Sequence, residues 1–441
     1  MHHLVADSPW SDRRLLAAVR DYALPVFRAH GGVQAWIVDD TGIPKKGSHS
    51  VGVTRQYCGV LGKQENCQVA VSLSVANERL SLPIAYELYL PEVWATDRER
   101  RQKAGVPDEI PFRTKLEIAT TQLRAAVEDG VRRGVLLADA GDGNSTPFRD
   151  EVTELGLEYV VGIQAATTVW PQGEGPVPAP AFSGKGRPAK LLARDATHEP
   201  ISVEALAQRI GRARFRSVTW RQGTRAPLTS RFHAVRVRPA HRENWRAETL
   251  PEEWLLIEWP SGQKEPTKYF LSTLPSSTPL ATLVRTAKLR CRIERDYEEL
   301  KDEIGLDHYE GRGWRGFHHH ATLCIAACGF LAVEQGLFFP RAFRSSDSRS
   351  RSLPYPQASA RGVLPIRPQR HIPESIETMR VRIALHRFRP ATPHLGPMVP
   401  AAGQSVSPTR FRFISKRRIA SLPGMIRSPT SRQEPSLMTA V

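Results

Sequence analysis

AWIVDDTGIPKKG, residues 35–47, sets four apolar residues ahead of two adjacent acids, Asp39 and Asp40, and closes on Lys45 and Lys46. An apolar run of this length reads as a buried strand whose far end presents carboxylates at a sheet edge. Hard cations bind such oxygens. Aspartate at a strand end also serves plain turn chemistry, so the stretch takes its meaning from two further acids downstream.

Working outward, residues 10–30 carry Leu15, Leu16, Val19 and Tyr22 on one helical face before Gly31 and Gly32 stop the helix. Past the first strand, 67–75 alternates around Val69, Val71 and Leu73, and 82–90 follows a turn at 77–79. That predicts three antiparallel strands. Pro111 opens a helix that buries Leu116, Ala119, Leu123 and Val127, with Gly130 as a left-handed cap. The apolar run 134–138 delivers Asp139, a short helix follows near 147–155, and 158–163 is another strand. The order βββαβαβ predicts an α/β fold, a mixed sheet with helices.

Residues 164–189 are rich in Pro and Gly and read as a linker. The runs 214–220, 231–237 and 254–259 read as strands of a separate, arginine-rich β unit inserted into the first domain. Pro279, preceded by Ser277 and Thr278, starts one long helix that runs to about Ile304 and stops at Gly305; a second helix covers about 316–335. The expected organisation is therefore 1–163 and 276–340 as two parts of one domain, with 164–275 as a β-rich insertion. Residues 341–441, of Ser, Pro and Arg without apolar periodicity apart from a short helix at 373–387, form a basic and largely disordered tail.

Charge follows the same division. The 441 residues hold 62 Lys and Arg against 45 Asp and Glu, a net charge of +17, and 341–441 alone hold 18 against 4. A basic balance suits a polyanion such as nucleic acid. Five cysteines, at 58, 67, 291, 324 and 328, form no CxxC pair in a chain too large to need disulfide staples, which predicts reduced thiols and a cytoplasmic protein. The N-terminus has no signal-peptide pattern, and the apolar run 321–333 is shorter than the roughly 20 residues of a membrane span. No membrane is expected.

The candidate chemistry lies in KLRCRIERDYEELKDEIG, where Arg290, Glu294, Tyr297 and Lys301 share one helical face. A solvated charged face has the same look; the order of an Asp on strand one, an Asp on strand four and a Glu after an insertion argues for more. Carboxylates gathered together repel and need cations. Two Mg²⁺ ions about 4 Å apart would activate a nucleophile on one side of a phosphodiester and stabilise the leaving oxygen on the other. Lys45, Lys46 and His49 follow the first acid closely enough for phosphate contacts. Trp220, among arginines, suits either stacking on a DNA base or core packing. His320, Cys324 and Cys328 span about 12 Å of helix and cannot share one zinc.

Residues 36–77 (WIVDDTGIPKKGSHSVGVTRQYCGVLGKQENCQVAVSLSVAN), 136–149 (LLADAGDGNSTPFR) and 293–323 (IERDYEELKDEIGLDHYEGRGWRGFHHHATL) resemble bacterial insertion-sequence transposases of the DDE superfamily, which have a ribonuclease H-like catalytic fold. The resemblance spans about 33–335. It implies Asp39, with Thr41 behind it and Asp40 as an alternative, Asp139 and Glu294 as catalytic residues and ligands of two Mg²⁺ ions, Mn²⁺ being a substitute. It implies Arg290 and Lys301 as DNA-binding residues, and Tyr297 on the same face joins them. Ala287 stands where the family has a tyrosine, and Asp142 where an aromatic is expected. The implied activity is cutting of transposon ends and joining of 3′ hydroxyls to target DNA, by a homodimer in the DNA complex. A DNA-binding remnant without activity and a ribonuclease H-type hydrolase are the alternatives.

Overall fold

Strands apolar on both faces belong inside a sheet, and every side chain from Ala35 to Val38 is buried. In the computed structural model of the chain this stretch lies at the heart of one large sheet. The structure describes residues 2–177, 179, 190–193, 199–222, 226–241, 246 and 248–338. The expected helix at 373–387 and the basic tail from 341 fall outside the described residues.

In chain order, α1 (His2–Ala6) and α2 (Asp12–Ala29) precede β1 (Ala35–Pro44), β2 (Thr54–Cys58), β3 (Lys63–Ala76) and β4 (Ser81–Leu88). Helices α3 (Glu92–Ala95), α4 (Arg98–Lys103) and α5 (Lys115–Glu128) lead to β5 (Val135–Ala138), then α6 (Ala140–Gly143), α7 (Thr146–Glu154) and β6 (Tyr159–Ile163). The second half continues with β7 (Thr168–Pro171), β8 (Ile201–Ser202), α8 (Val203–Ile210), β9 (Arg216–Gln222), β10 (Pro227–Pro239), β11 (Glu253–Glu258) and β12 (Lys268–Ser272). Three helices close it: α9 (Leu280–Leu289), α10 (Cys291–Asp302) and α11 (Trp314–Phe338).

The strands lie in the order β2-β3-β1-β5-β6-β12-β11-β10-β7-β8, with β4 also paired to β3 and β9 to β10. β1 runs antiparallel to β3 and parallel to β5, and β5 parallel to β6. This α/β arrangement is consistent with a ribonuclease H-like fold. The last parallel pair is Ile37 with Leu137, so Asp39 and Asp139 each stand two residues beyond it, and the strand period of two sends both side chains to one face.

The inserted strands do not form a sheet of their own. β12 pairs with β6, from Tyr269 opposite Ile163 to Ser272 opposite Val160, and carries β11, β10 and β7 outward on the same sheet. β7 falls inside the stretch that composition marks as a linker. The helix expected from Pro111 begins instead at Lys115, because Thr114 and Glu117 form a reciprocal capping box: each side chain accepts from the other's backbone N–H. The long helix expected from Pro279 to Ile304 is two, α9 and α10, interrupted at Arg290, whose N–H turns back to the carbonyl of Lys288.

Two glycines let the turn after β5 lie against β6. A Cβ at Gly143 would fall 2.3 Å from the Gly162 carbonyl oxygen, and one at Gly162 would fall 2.8 Å from the Ala140 nitrogen. Helix α11 is long and apolar enough over Trp314–Glu334 to cross a membrane, a longer stretch than the apolar run alone. It packs against α2 and β4, burying Phe317, Ala321, Ile325 and Val333. Its three histidines serve the interior: His318 accepts from the Leu88 N–H, the ring nitrogens of His319 meet the carbonyls of Val5 and Trp10, and His320 meets that of Gly305.

Candidate active site

Asp39, Asp139 and Glu294 converge, and what joins them is Arg290. One guanidinium nitrogen, Nη2, lies 2.8 Å from Asp39 Oδ1 and 3.6 Å from Asp139 Oδ2, and Nη1 lies 3.8 Å from Glu294 Oε1. Each acid arrives by a different device. Asp39 is carried by β1. Asp139 caps α6, its Oδ1 accepting from the N–H groups of Gly141 and Asp142. Glu294 sits in the first turn of α10 and is the outermost of the three, its side chain 68% exposed against 14% for Asp39.

Burial is the main reason Asp39 is raised to about 7; Arg290 pulls it down, and Asp139 and Asp40 push it up. Asp142, which the sequence offers in place of an aromatic, is also raised to about 7, first by burial and then by Asp139, Asp40 and Asp39. The neighbouring Asp40 turns the other way, its Oδ2 2.7 Å from Lys115 Nζ on α5. Nothing in the sequence pattern singles out Lys115; it pairs with Asp40 only because α5 crosses the sheet there.

The face of α10 identified by spacing is real, but its C-terminal half, Tyr297 and Lys301, is docked on the sheet, while Glu294 stays open to solvent. Tyr297 is buried, with its hydroxyl 2.5 Å from Ser72 Oγ on β3 and 3.5 Å from the Asp39 carbonyl. Lys301 is buried and donates to the carbonyl of Gly42 at 3.0 Å. Both were expected to reach DNA. Instead they fasten α10 to β1 and β3, because a helix packed on a sheet uses its long polar side chains to satisfy the strand's groups. Lys45 is likewise taken up internally, donating to the carbonyls of Tyr309 at 2.6 Å and Asp307 at 3.4 Å. Lys46 and His49 are exposed beside it.

Trp220 lies in β9, partly buried. Its ring meets Phe232 edge-on at 5.7 Å, and Lys288 Nζ sits 4.7 Å from its centroid while pairing with Glu258 at 2.5 Å. Of the two roles weighed for it, the structure displays packing.

A family model described as DDE superfamily endonuclease matches residues 1–227. The chain belongs to the DDE superfamily of endonucleases. The matched span carries Asp39 and Asp139 and ends before Glu294. A probable transposase for the insertion sequence element IS701 from Microchaete diplosiphon is 34% identical over 166 residues, which is 37% of this chain and 40% of that relative. The matched part is thus less than half of that relative's length.

DDE endonucleases use divalent metals, and the donor chemistry here fits them, since all three converging groups are carboxylates and hard divalent cations take oxygen ligands. Among the described residues no three His, Cys, Asp or Glu side chains are drawn together closely enough to hold an ion as they stand. The space between the three acids is taken up by the Arg290 guanidinium.

Proposed function

We propose that this chain is an insertion-sequence transposase that cuts DNA at transposon ends and joins the freed 3′ hydroxyls to target DNA. The single observation that carries the reading is the meeting of Asp39, Asp139 and Glu294, from positions far apart in the chain, around one side chain. Asp39, Asp139 and Glu294 would hold two Mg²⁺ ions, with Mn²⁺ as a substitute. Bound there, the cations would supply an activated hydroxyl and charge neutralisation at the scissile phosphate.

The protein's own groups do the placing. Arg290 offers a planar fork of donors suited to a phosphate, and exposed Lys46 and His49 bring positive charge and a hydrogen-bonding ring to the same end of the sheet. Tyr297 and Lys301 act as positioning residues, fixing the Glu294 helix against β1. Residues 164–275 form an insertion between the two parts of the catalytic domain, and a homodimer acts on transposon ends and target DNA in the cytoplasm.

The test is cleavage of supercoiled DNA carrying the element's ends, with Mg²⁺ or Mn²⁺, by the native chain and by Asp139→Ala. Cleavage by the native chain alone, abolished by EDTA, is the expected result. Equal cleavage by both proteins would overturn the assignment of Asp139, and DNA binding with no cleavage by either would favour a remnant that has kept only binding.

A further inference from the structure

We propose that Arg290 is the counter-ion that divalent cations displace from the three acids, and that the displaced guanidinium then serves the DNA phosphate, so that cation binding and DNA binding strengthen one another. The inference rests on the reading of Asp39, Asp139 and Glu294 as cation ligands.

Three observations carry it. The guanidinium is shared among all three carboxylates, close to Asp39 at 2.8 Å and loosely placed toward Asp139 and Glu294 at 3.6 and 3.8 Å. A single positive charge thus answers three negative ones, and a dication answers them better at the same distance. The Nε–H of Arg290 is buried with no hydrogen-bond partner among the described residues. A guanidinium serving only as a structural anchor would be expected to use that donor, since buried polar groups in settled structures are almost always paired; a fork that also takes a phosphate has use for it. Finally, Arg290 stands at the junction of α9 and α10 with its backbone in the right-handed helical region (φ −56°, ψ −31°), one helical turn ahead of Glu294, so the guanidinium and the third acid are held on the same stretch of chain.

Exchange of partners at one residue is thermodynamic coupling. Cations that release the guanidinium raise affinity for phosphate, and phosphate that captures the guanidinium raises affinity for cations by the same factor. The full chain is tested with Mn²⁺ as probe, its binding read by the electron paramagnetic resonance of the free ion in the absence of DNA. Arg290→Gln, which removes the competitor, is expected to bind Mn²⁺ about 5- to 150-fold more tightly than the native chain, the usual range for coupled sites. Its melting temperature in EDTA is expected to fall, and Mn²⁺ to restore it.

Ca²⁺ is expected to tighten binding of a duplex DNA by the native chain and to leave that of Arg290→Gln unchanged. Arg290→Lys, which keeps the charge without the fork, guards against a folding defect and is expected to fall between the two in Mn²⁺ affinity. Mn²⁺ affinity that depends on Asp139 but is the same for Arg, Lys and Gln at 290 overturns the exchange and leaves the acids as ligands. No Asp139-dependent Mn²⁺ binding in any variant overturns the cation site itself, and the exchange with it.

Discussion

Lys301 shows how far a side chain's role depends on what folds around it. The motif places it with the DNA-binding residues, yet its ammonium is buried and donates to Gly42 in the strand that carries Asp39. Burial lowers its pKa, only partly opposed by Asp307 and other acids, which is the signature of a group withdrawn from water. Lys301→Met should therefore cost stability, about 1–3 kcal/mol for a buried carbonyl left without its donor, read by urea or thermal denaturation. The salt dependence of DNA binding should stay as in the native chain, whereas loss of a phosphate contact would lower the slope of log K against log salt by about one. The types and order of the acids in the sequence pointed to Asp39, Asp139 and Glu294 lying near one another, and the structure brings all three to the Arg290 guanidinium. The fate of the lysine was not, because the carbonyl that claims it lies 259 positions away in the chain.

At the scale of elements, β1, β5 and β6 were legible as apolar runs with turn residues on both sides. β12 was not: KYFLS is short, follows a Pro- and Gly-containing turn, and gains its place only by pairing with β6. The interruption at Arg290 carries no Gly or Pro to announce it, and the start of α5 was decided by a capping box over a proline that signalled an earlier start. Within the inserted strands, Glu253 on β11 is buried, and burial raises its pKa, while the Tyr159 hydroxyl, Arg149 and Arg236 oppose the rise. An acid raised on folding binds its proton more tightly in the folded chain, so its ionisation costs stability as pH climbs through the acidic range and above. Glu253→Gln should therefore raise the melting temperature at pH 8, with the gain shrinking as pH falls toward 4. A gain that grows on acidification would contradict this account of the site.

For the whole molecule, the decisive fact is that the inserted strands prolong the sheet that carries Asp39 across the β6–β12 pair. A separately folded module would tolerate removal; a continuation of the sheet should not. Excision of residues 164–275 with a short linker would strip β6 of β12, its partner on the side away from β5, and leave an apolar strand edge, which invites pairing with other chains. The excised chain is expected to aggregate on gel filtration, and the native chain to unfold residues 35–163 and 253–272 in one transition by hydrogen exchange. Persistence of a monomeric, cooperatively folded remainder would mean that the two halves of the sheet are energetically independent.

Four of the five cysteines are buried, and Cys291, directly after Arg290 at the start of α10, is exposed. Nature has thus left a labelling handle beside the guanidinium. One maleimide fluorophore should attach per native chain, against five after denaturation, and its emission would follow any rearrangement of the neighbouring arginine in real time without a cysteine having to be engineered in.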